Sequence, residues 1–221
     1  MHSELDRIAK EEKTDKSSEC HGYADKYDFY FSNLKNKKIK MLEIGVLKGC
    51  SLNMWNRYFS SVNIHAIDIN PDCKMHEKEN INIYIGDQSD TNFLEQNFKS
   101  HEFDIIIDDG SHVPIHQMAS FEFFFKKLKP GGLYVVEDLH TSYCPNPIFS
   151  KDGLNFVDYL KDKVSDLQLN GKDAVEWSYG DKKNHLNAVG WDKLNTYNYY
   201  EKHIEYIHFY KSICFIKKEI W

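Results

Sequence analysis

Five short apolar runs, at residues 39–44, 63–67, 81–85, 103–107 and 133–136, each end in turn residues and give way to a longer amphipathic stretch. Strands that alternate with helices pair in parallel and bury both faces, so this grammar predicts an α/β sandwich. Ser51 is placed to cap a helix carrying Leu52, Trp55 and Tyr58, and Asp90 to cap one carrying Phe93 and Leu94. Residues 116–128 put Phe121, Phe124, Phe125 and Leu128 on one side of a further helix, which Lys129-Pro130-Gly131-Gly132 then breaks.

The flanks differ from this centre. Leu5, Ile8 and Ala9, and then Tyr23, Tyr27, Tyr30, Phe31 and Leu34, fall at helical spacings on either side of a polar break at 13–18. Residues 154–164 read as a helix, 204–209 and 213–216 as a terminal antiparallel hairpin, and the Asn-, Gly-, Trp- and Tyr-rich stretch between them as long loops. The expectation is one domain over 1–221: a helical lid at 1–38 and an α/β core at 39–221 with a loop-rich region at 165–200.

Composition narrows the partners. The 28 Lys and Arg against 34 Asp and Glu give a formal charge of −6, and Arg7 and Arg57 are the only arginines. The lysines form no long basic stripe, which argues against nucleic acid, and few guanidinium groups are available to clamp a phosphate. The sequence has neither an 18-residue apolar run nor a signal peptide, so it reads as a cytoplasmic chain without a membrane partner. Five widely spaced cysteines with no CxxC pair read as reduced thiols.

Leu42-Glu43-Ile44-Gly45-Val46-Leu47-Lys48-Gly49-Cys50-Ser51 sets a carboxylate at the end of the first strand and two glycines in the turn into a helix. Glycine lets a backbone approach a ligand closely, and a helix start offers free N–H donors. The spacing is not the G-x-G-x-x-G of dinucleotide sites. An acid before the first glycine suits a ligand with a cationic end, such as the ammonium of S-adenosylmethionine. Glu43, Gly45, Gly49 and Ser51 are therefore cofactor candidates. Asp68, ending the second strand, is placed for ribose hydroxyls, and Asp87 and Gln88, after the third, for an adenine edge; each alone is also an ordinary turn residue.

Asp104-Ile105-Ile106-Ile107-Asp108-Asp109-Gly110-Ser111-His112 is an apolar strand that ends in two acids and delivers a histidine, and Leu133-Tyr134-Val135-Val136-Glu137-Asp138 is its acidic neighbour. Four converging carboxylates repel one another unless a cation lies among them. All-oxygen ligation suits Mg²⁺ or a similar hard cation, which leaves room for substrate hydroxyls. Asp108 is assigned to the cofactor side and Asp109 to the chemical side. An imidazole titrates near neutrality, which makes His112 the natural base for a hydroxyl proton. The alternative is structural: Asp108 and Asp109 capping the next helix, with Glu137 and Asp138 as solvated loop charges. His116 is assigned to structure.

Together these segments resemble the metal-dependent sugar O-methyltransferases of macrolide biosynthesis and the related cephalosporin hydroxylase-like group. The resemblance runs from Lys13-Thr14-Asp15-Lys16 through Ser51-Leu52-Asn53-Met54-Trp55, Gly86-Asp87-Gln88-Ser89-Asp90 and Asp108-Asp109-Gly110-Ser111-His112 to Glu137-Asp138-Leu139-His140-Thr141-Ser142-Tyr143. It implies a Rossmann-like class I methyltransferase: a seven-stranded, mostly parallel sheet in the order 3-2-1-4-5-7-6 with helices on both faces, and S-adenosylmethionine as donor. It further implies Mg²⁺ on Asp109, Glu137 and Asp138, His112 as base, and Glu43, Asp68 and Gln88 on the cofactor. The chain departs from the family in lacking a long N-terminal extension, in His140 where a glutamine is usual, and after Cys144.

The function expected on these grounds is methylation of a sugar hydroxyl, on a nucleotide-activated sugar for surface polysaccharide or on a glycoside, with Tyr23, Tyr27, His140 and Tyr143 touching the acceptor. A homo-oligomer is compatible with this reading. A catechol-type methyltransferase is the nearer rival; a nicotinamide-dependent oxidoreductase and a non-catalytic binding protein are more distant ones.

Overall fold

The computed structural model of the chain describes residues 2–150, 153–167 and 198–220. The strands are β1 Lys38–Ile44, β2 Ser61–Asp68, β3 Ile81–Ile85, β4 Phe103–Asp108, β5 Leu128–Val136, β6 Ile204–Phe209 and β7 Cys214–Lys218. The helices are α1 Glu4–Glu11, α2 Ala24–Phe31, α3 Cys50–Tyr58, α4 Thr91–Phe98, α5 Pro114–Phe124, α6 Pro147–Ser150, α7 Phe156–Asp166 and α8 Tyr199–His203. They build a seven-stranded sheet of order β3-β2-β1-β4-β5-β7-β6, as the family resemblance implies. The first five strands are parallel, while β7 runs antiparallel to both β5 and β6.

Alternation along the central strands assigns the two faces. Ile105 and Ile107 of β4 and Leu133 and Val135 of β5 pack with Leu5, Tyr27, Phe31 and Trp55 of α1, α2 and α3. Ile106, Tyr134 and Val136 face the other way, onto Phe98, Phe121, Phe124 and Leu160 of α4, α5 and α7. Each such fully buried large apolar side chain contributes about 1.5–3 kcal/mol relative to an exposed one. Residues 1–38 thus carry part of the core: Leu5, Ala9, Tyr27 and Phe31 are wholly buried. The expected loop-rich region at 165–200 lies outside the described residues except at 165–167 and 198–200.

Two helix starts correct the sequence reading. Ser51 sits inside the first turn of α3, and Gly49 precedes that helix in a left-handed conformation, with φ +68°. A Cβ at Gly49 would stand 2.8 Å from the His76 ring, so both backbone and space require glycine. Helix α5 starts two residues earlier than expected, with Pro114 in its first turn, and ends at Phe124; Leu128 already belongs to β5. The Asp90 cap is present, its Oδ1 accepting from the N–H groups of Asn92 and Phe93.

His65 of β2 is buried, with Nδ1 3.1 Å from the Tyr84 hydroxyl and Nε2 without a hydrogen-bond partner among the described residues. Burial, reinforced by the nearby charges of Lys40 and His101, pushes its pKa down to about 4. The unfolded imidazole binds its proton near pH 6.5, so the contribution to stability is complete above that pH and is lost as pH falls toward 4. We expect wild type to lose on the order of 1–3 kcal/mol more than His65→Leu between pH 7 and 4.5 in urea unfolding. Equal losses would contradict this origin of the acid sensitivity.

Candidate active site

The carboxyl ends of the parallel strands open onto one cavity of about 570 Å³, at the switch point where β1 is flanked by β2 and β4. Open α/β sheets bind ligands at this position. The first wall is the turn after β1. Gly45 has φ +96°, and a Cβ there would meet the Asp109 carbonyl oxygen at 2.1 Å, so glycine lets the β1 and β4 ends come together. Oδ2 of Asp68 accepts from the N–H groups of Val46 and Leu47 at 2.8 and 3.1 Å, and Oδ1 from Asn70 at 2.8 Å. Burial works to raise this carboxyl's pKa, but the three N–H groups outweigh it and hold it below the usual range.

Gly45, Ser51, Asp68, Asp87 and Gln88 line the cavity, as a cofactor site requires, whereas Glu43, Gly49 and Asp108 lie behind its wall. Glu43 is fully buried and accepts from Trp55 Nε1 at 3.0 Å, while its Oε1 accepts no hydrogen bond among the described residues and faces Lys16 Nζ at 3.8 Å. Burial, opposed by the Lys16 charge, raises its pKa to about 7. Gln88 is largely consumed by the protein: Nε2 donates to Asp108 at 3.1 Å and to Ser120 Oγ at 2.8 Å, and Oε1 accepts from the Ser111 N–H at 2.8 Å. That network fastens β4 to α5 and engages Asp108, the expected cofactor residue, whose pKa burial lifts to about 7. Asp87 Oδ1 is held by the N–H and hydroxyl of Ser89 at 2.8 and 2.7 Å.

The chemical side lies where β4 and β5 end. His112 Nε2 is 3.9 Å from Asp109 Oδ1 and 3.7 Å from Asp138 Oδ2, while its Nδ1 is buried without a hydrogen-bond partner among the described residues. One ligand atom from each of Asp109, His112 and Asp138 lies within 4.8 Å of the others. His112 and Asp138 hold left-handed backbone, at φ +56° and +55°. Lys13 and Leu47 do so too, and all four line the cavity. Such conformations cost roughly 1–3 kcal/mol each in non-glycine residues and gather at functional sites.

Glu137 takes another course. It is buried, with Oε1 accepting from Tyr27 at 2.5 Å and both oxygens within 3.0 Å of Lys16 Nζ. Lys16, itself only 1% exposed, also contacts Asp109 Oδ2 and stands 3.8 Å from Glu43. Burial works to lower its pKa; the charges of Asp109, Glu137 and Glu43 outweigh burial and hold it well above the ordinary lysine value. The cation required among the acids is thus supplied in part by the chain. The donor set still fits a hard divalent ion, since Asp109 and Asp138 present carboxylate oxygens at the cavity edge beside an imidazole.

Tyr23 and Tyr27, expected to touch the acceptor, are buried outside the cavity lining and donate to Asp138 at 2.8 Å and to Glu137. His140 and Tyr143 are exposed outside the cavity, with His140 Nδ1 2.6 Å from Ser212 Oγ. His116, assigned to structure from the sequence, lies 3.0 Å from Ser111 Oγ through Nδ1 and lines the cavity.

Comparison with known proteins bears on this arrangement. Demethylmacrocin O-methyltransferase of Streptomyces fradiae is 32% identical over 98% of this chain and 53% of its own length. Mycinamicin VI 2''-O-methyltransferase of Micromonospora griseorubida is 30% identical over 97% and 52%. The solved MycE methyltransferase of the mycinamycin pathway, in complex with Mg and SAH, superposes with a TM-score of 0.79 at 27% identity, over 99% of this chain and 54% of that one. The chain is a homologue of the macrolide sugar O-methyltransferases. It spans about half the length of the curated relatives it matches. No family model matches it.

Sequence reasoning about this homologue missed Lys16 as a site residue. Two signals pointed to it: Lys16 belongs to the block 13–16 that carries the family resemblance, and four converging acids demand a cation, which a lysine within the polar segment 13–18 can supply. The packing of Tyr27 and Trp55 against the acids left no comparable signal, because helical spacing names a face without naming what it covers.

Proposed function

We propose that the protein is an S-adenosylmethionine- and Mg²⁺-dependent O-methyltransferase that methylates a hydroxyl of a sugar. The observation that carries this reading is the meeting of Asp109, Asp138 and His112 Nε2 at the edge of a cavity that begins at Gly45 and Asp68. The donor would supply an electrophilic methyl group on sulfur. A divalent cation would supply Lewis-acid polarisation of an acceptor oxygen.

Asp109 and Asp138 would hold that cation, with Glu137, already engaged by Lys16 and Tyr27, beside them. His112 Nε2 accepts the hydroxyl proton as the oxygen attacks, and the carboxylates of Asp109 and Asp138 stabilise the imidazolium that results. Asp68, fixed at the cavity wall by three N–H groups, would face the ribose. Positioning these groups on strand ends beneath α2 aligns the reactants and limits water. Relatives named for sugar-bearing antibiotics support a glycoside acceptor.

The test is transfer of labelled methyl from S-adenosylmethionine to a glycoside, a sugar nucleotide and a catechol, with and without EDTA. Label on a sugar hydroxyl, lost on chelation and restored by Mg²⁺, is expected. Label on catechol alone, or transfer that survives chelation, would overturn the reading.

A further inference from the structure

The acid cluster holds a cation of its own, and that cation occupies carboxylates which the family resemblance gives to a metal. Lys16 Nζ lies 2.9 Å from Oε1 and 3.0 Å from Oε2 of Glu137 and contacts Oδ2 of Asp109. Its backbone is fixed, because the Lys16 carbonyl accepts from the N–H groups of Tyr23 and Ala24 at 2.9 and 2.8 Å. Any accommodation of a second cation must come from the side chain. A buried ammonium persists only where carboxylates compensate its lost hydration, and two positive centres on the same oxygens repel.

We propose that Lys16 is a tethered counter-cation that neutralises Asp109 and Glu137 in the metal-free protein and competes with a divalent metal for them. The proposal rests on the reading of Asp109 and Asp138 as metal-holding residues. It makes Lys16 a positioning residue: the ammonium keeps the carboxylates gathered before metal arrives and weakens metal binding in return. The segment 13–16 lines the cavity, so metal loading and the placement of this wall are linked through one side chain.

Calorimetric titration of Mg²⁺ into the full chain, with thermal melts in the presence and absence of Mg²⁺, tests this on Lys16→Arg, Lys16→Met and Lys16→Gln. Removing the charge is expected to tighten Mg²⁺ binding about tenfold and to enlarge the melting-temperature gain on adding metal. Lys16→Arg, which keeps the charge, is expected to bind within about threefold of wild type. A neutral variant that folds only with Mg²⁺ also supports the proposal, since the metal then takes the ammonium's place. Equal or weaker Mg²⁺ binding by the neutral variants overturns it, as does failure of both to fold in saturating Mg²⁺. Absence of Mg²⁺ binding by wild type overturns the metal reading, and the proposal with it.

Discussion

Replacing His112 by asparagine is expected to lower kcat by about 10²–10⁴-fold while leaving the Kd for S-adenosylmethionine within a few-fold of wild type. Asparagine is the informative choice because the residue sits at φ +56°. Alanine there would add strain of about 1–2 kcal/mol and mix a folding defect with a chemical one, whereas asparagine tolerates the left-handed region. The imidazole sits between the two candidate metal carboxylates, so its removal deletes the proton acceptor without touching the turn at Gly45 or the Asp68 carboxylate. A kcat within threefold of wild type would remove His112 as the base. A Mg²⁺ affinity that collapses along with kcat would make it a metal ligand instead.

The second large effect is expected at Asp138. Its backbone is left-handed at φ +55°, and Tyr23 donates to Oδ1 at 2.8 Å. Asp138→Asn keeps an acceptor for Tyr23 and a residue suited to that backbone, so folding should survive. What is lost is the negative charge facing His112 and Asp109. If Asp138 holds the cation, Mg²⁺ affinity falls by about 10²-fold or more, since even outer partners of metal ligands are worth 10–100-fold. Unchanged Mg²⁺ binding in calorimetry would show that the cation sits elsewhere.

Much of this site was legible because its chemistry is carried by residues at strand ends. The run Ile105-Ile106-Ile107 has to be a central strand, so Asp108, Asp109 and His112 had to fall at the sheet's carboxyl edge. What sequence could not give is depth. Glu43 and Gln88 fall in register with a cofactor site, yet Glu43 lies under Trp55, and the Gln88 amide is spent on Asp108, Ser120 and Ser111. Tyr23 and Tyr27 have the spacing of a substrate-facing helix, but α2 docks with that face down on the acids. Lys16 stayed hidden because its partners lie 27, 93 and 121 residues away in Glu43, Asp109 and Glu137, beyond the reach of local pattern.

One cation is expected to join the β4 and β5 ends beside a methyl-donor cavity. A crystal of the full chain grown with Mn²⁺ and S-adenosylhomocysteine tests it directly through anomalous scattering. The expected result is a single strong peak ligated by Asp109 and Asp138, with His112 Nε2 unligated and facing the cavity and the nucleoside beside Asp68. A peak away from these carboxylates, or a nucleoside outside the Gly45–Asp68 wall, would contradict it.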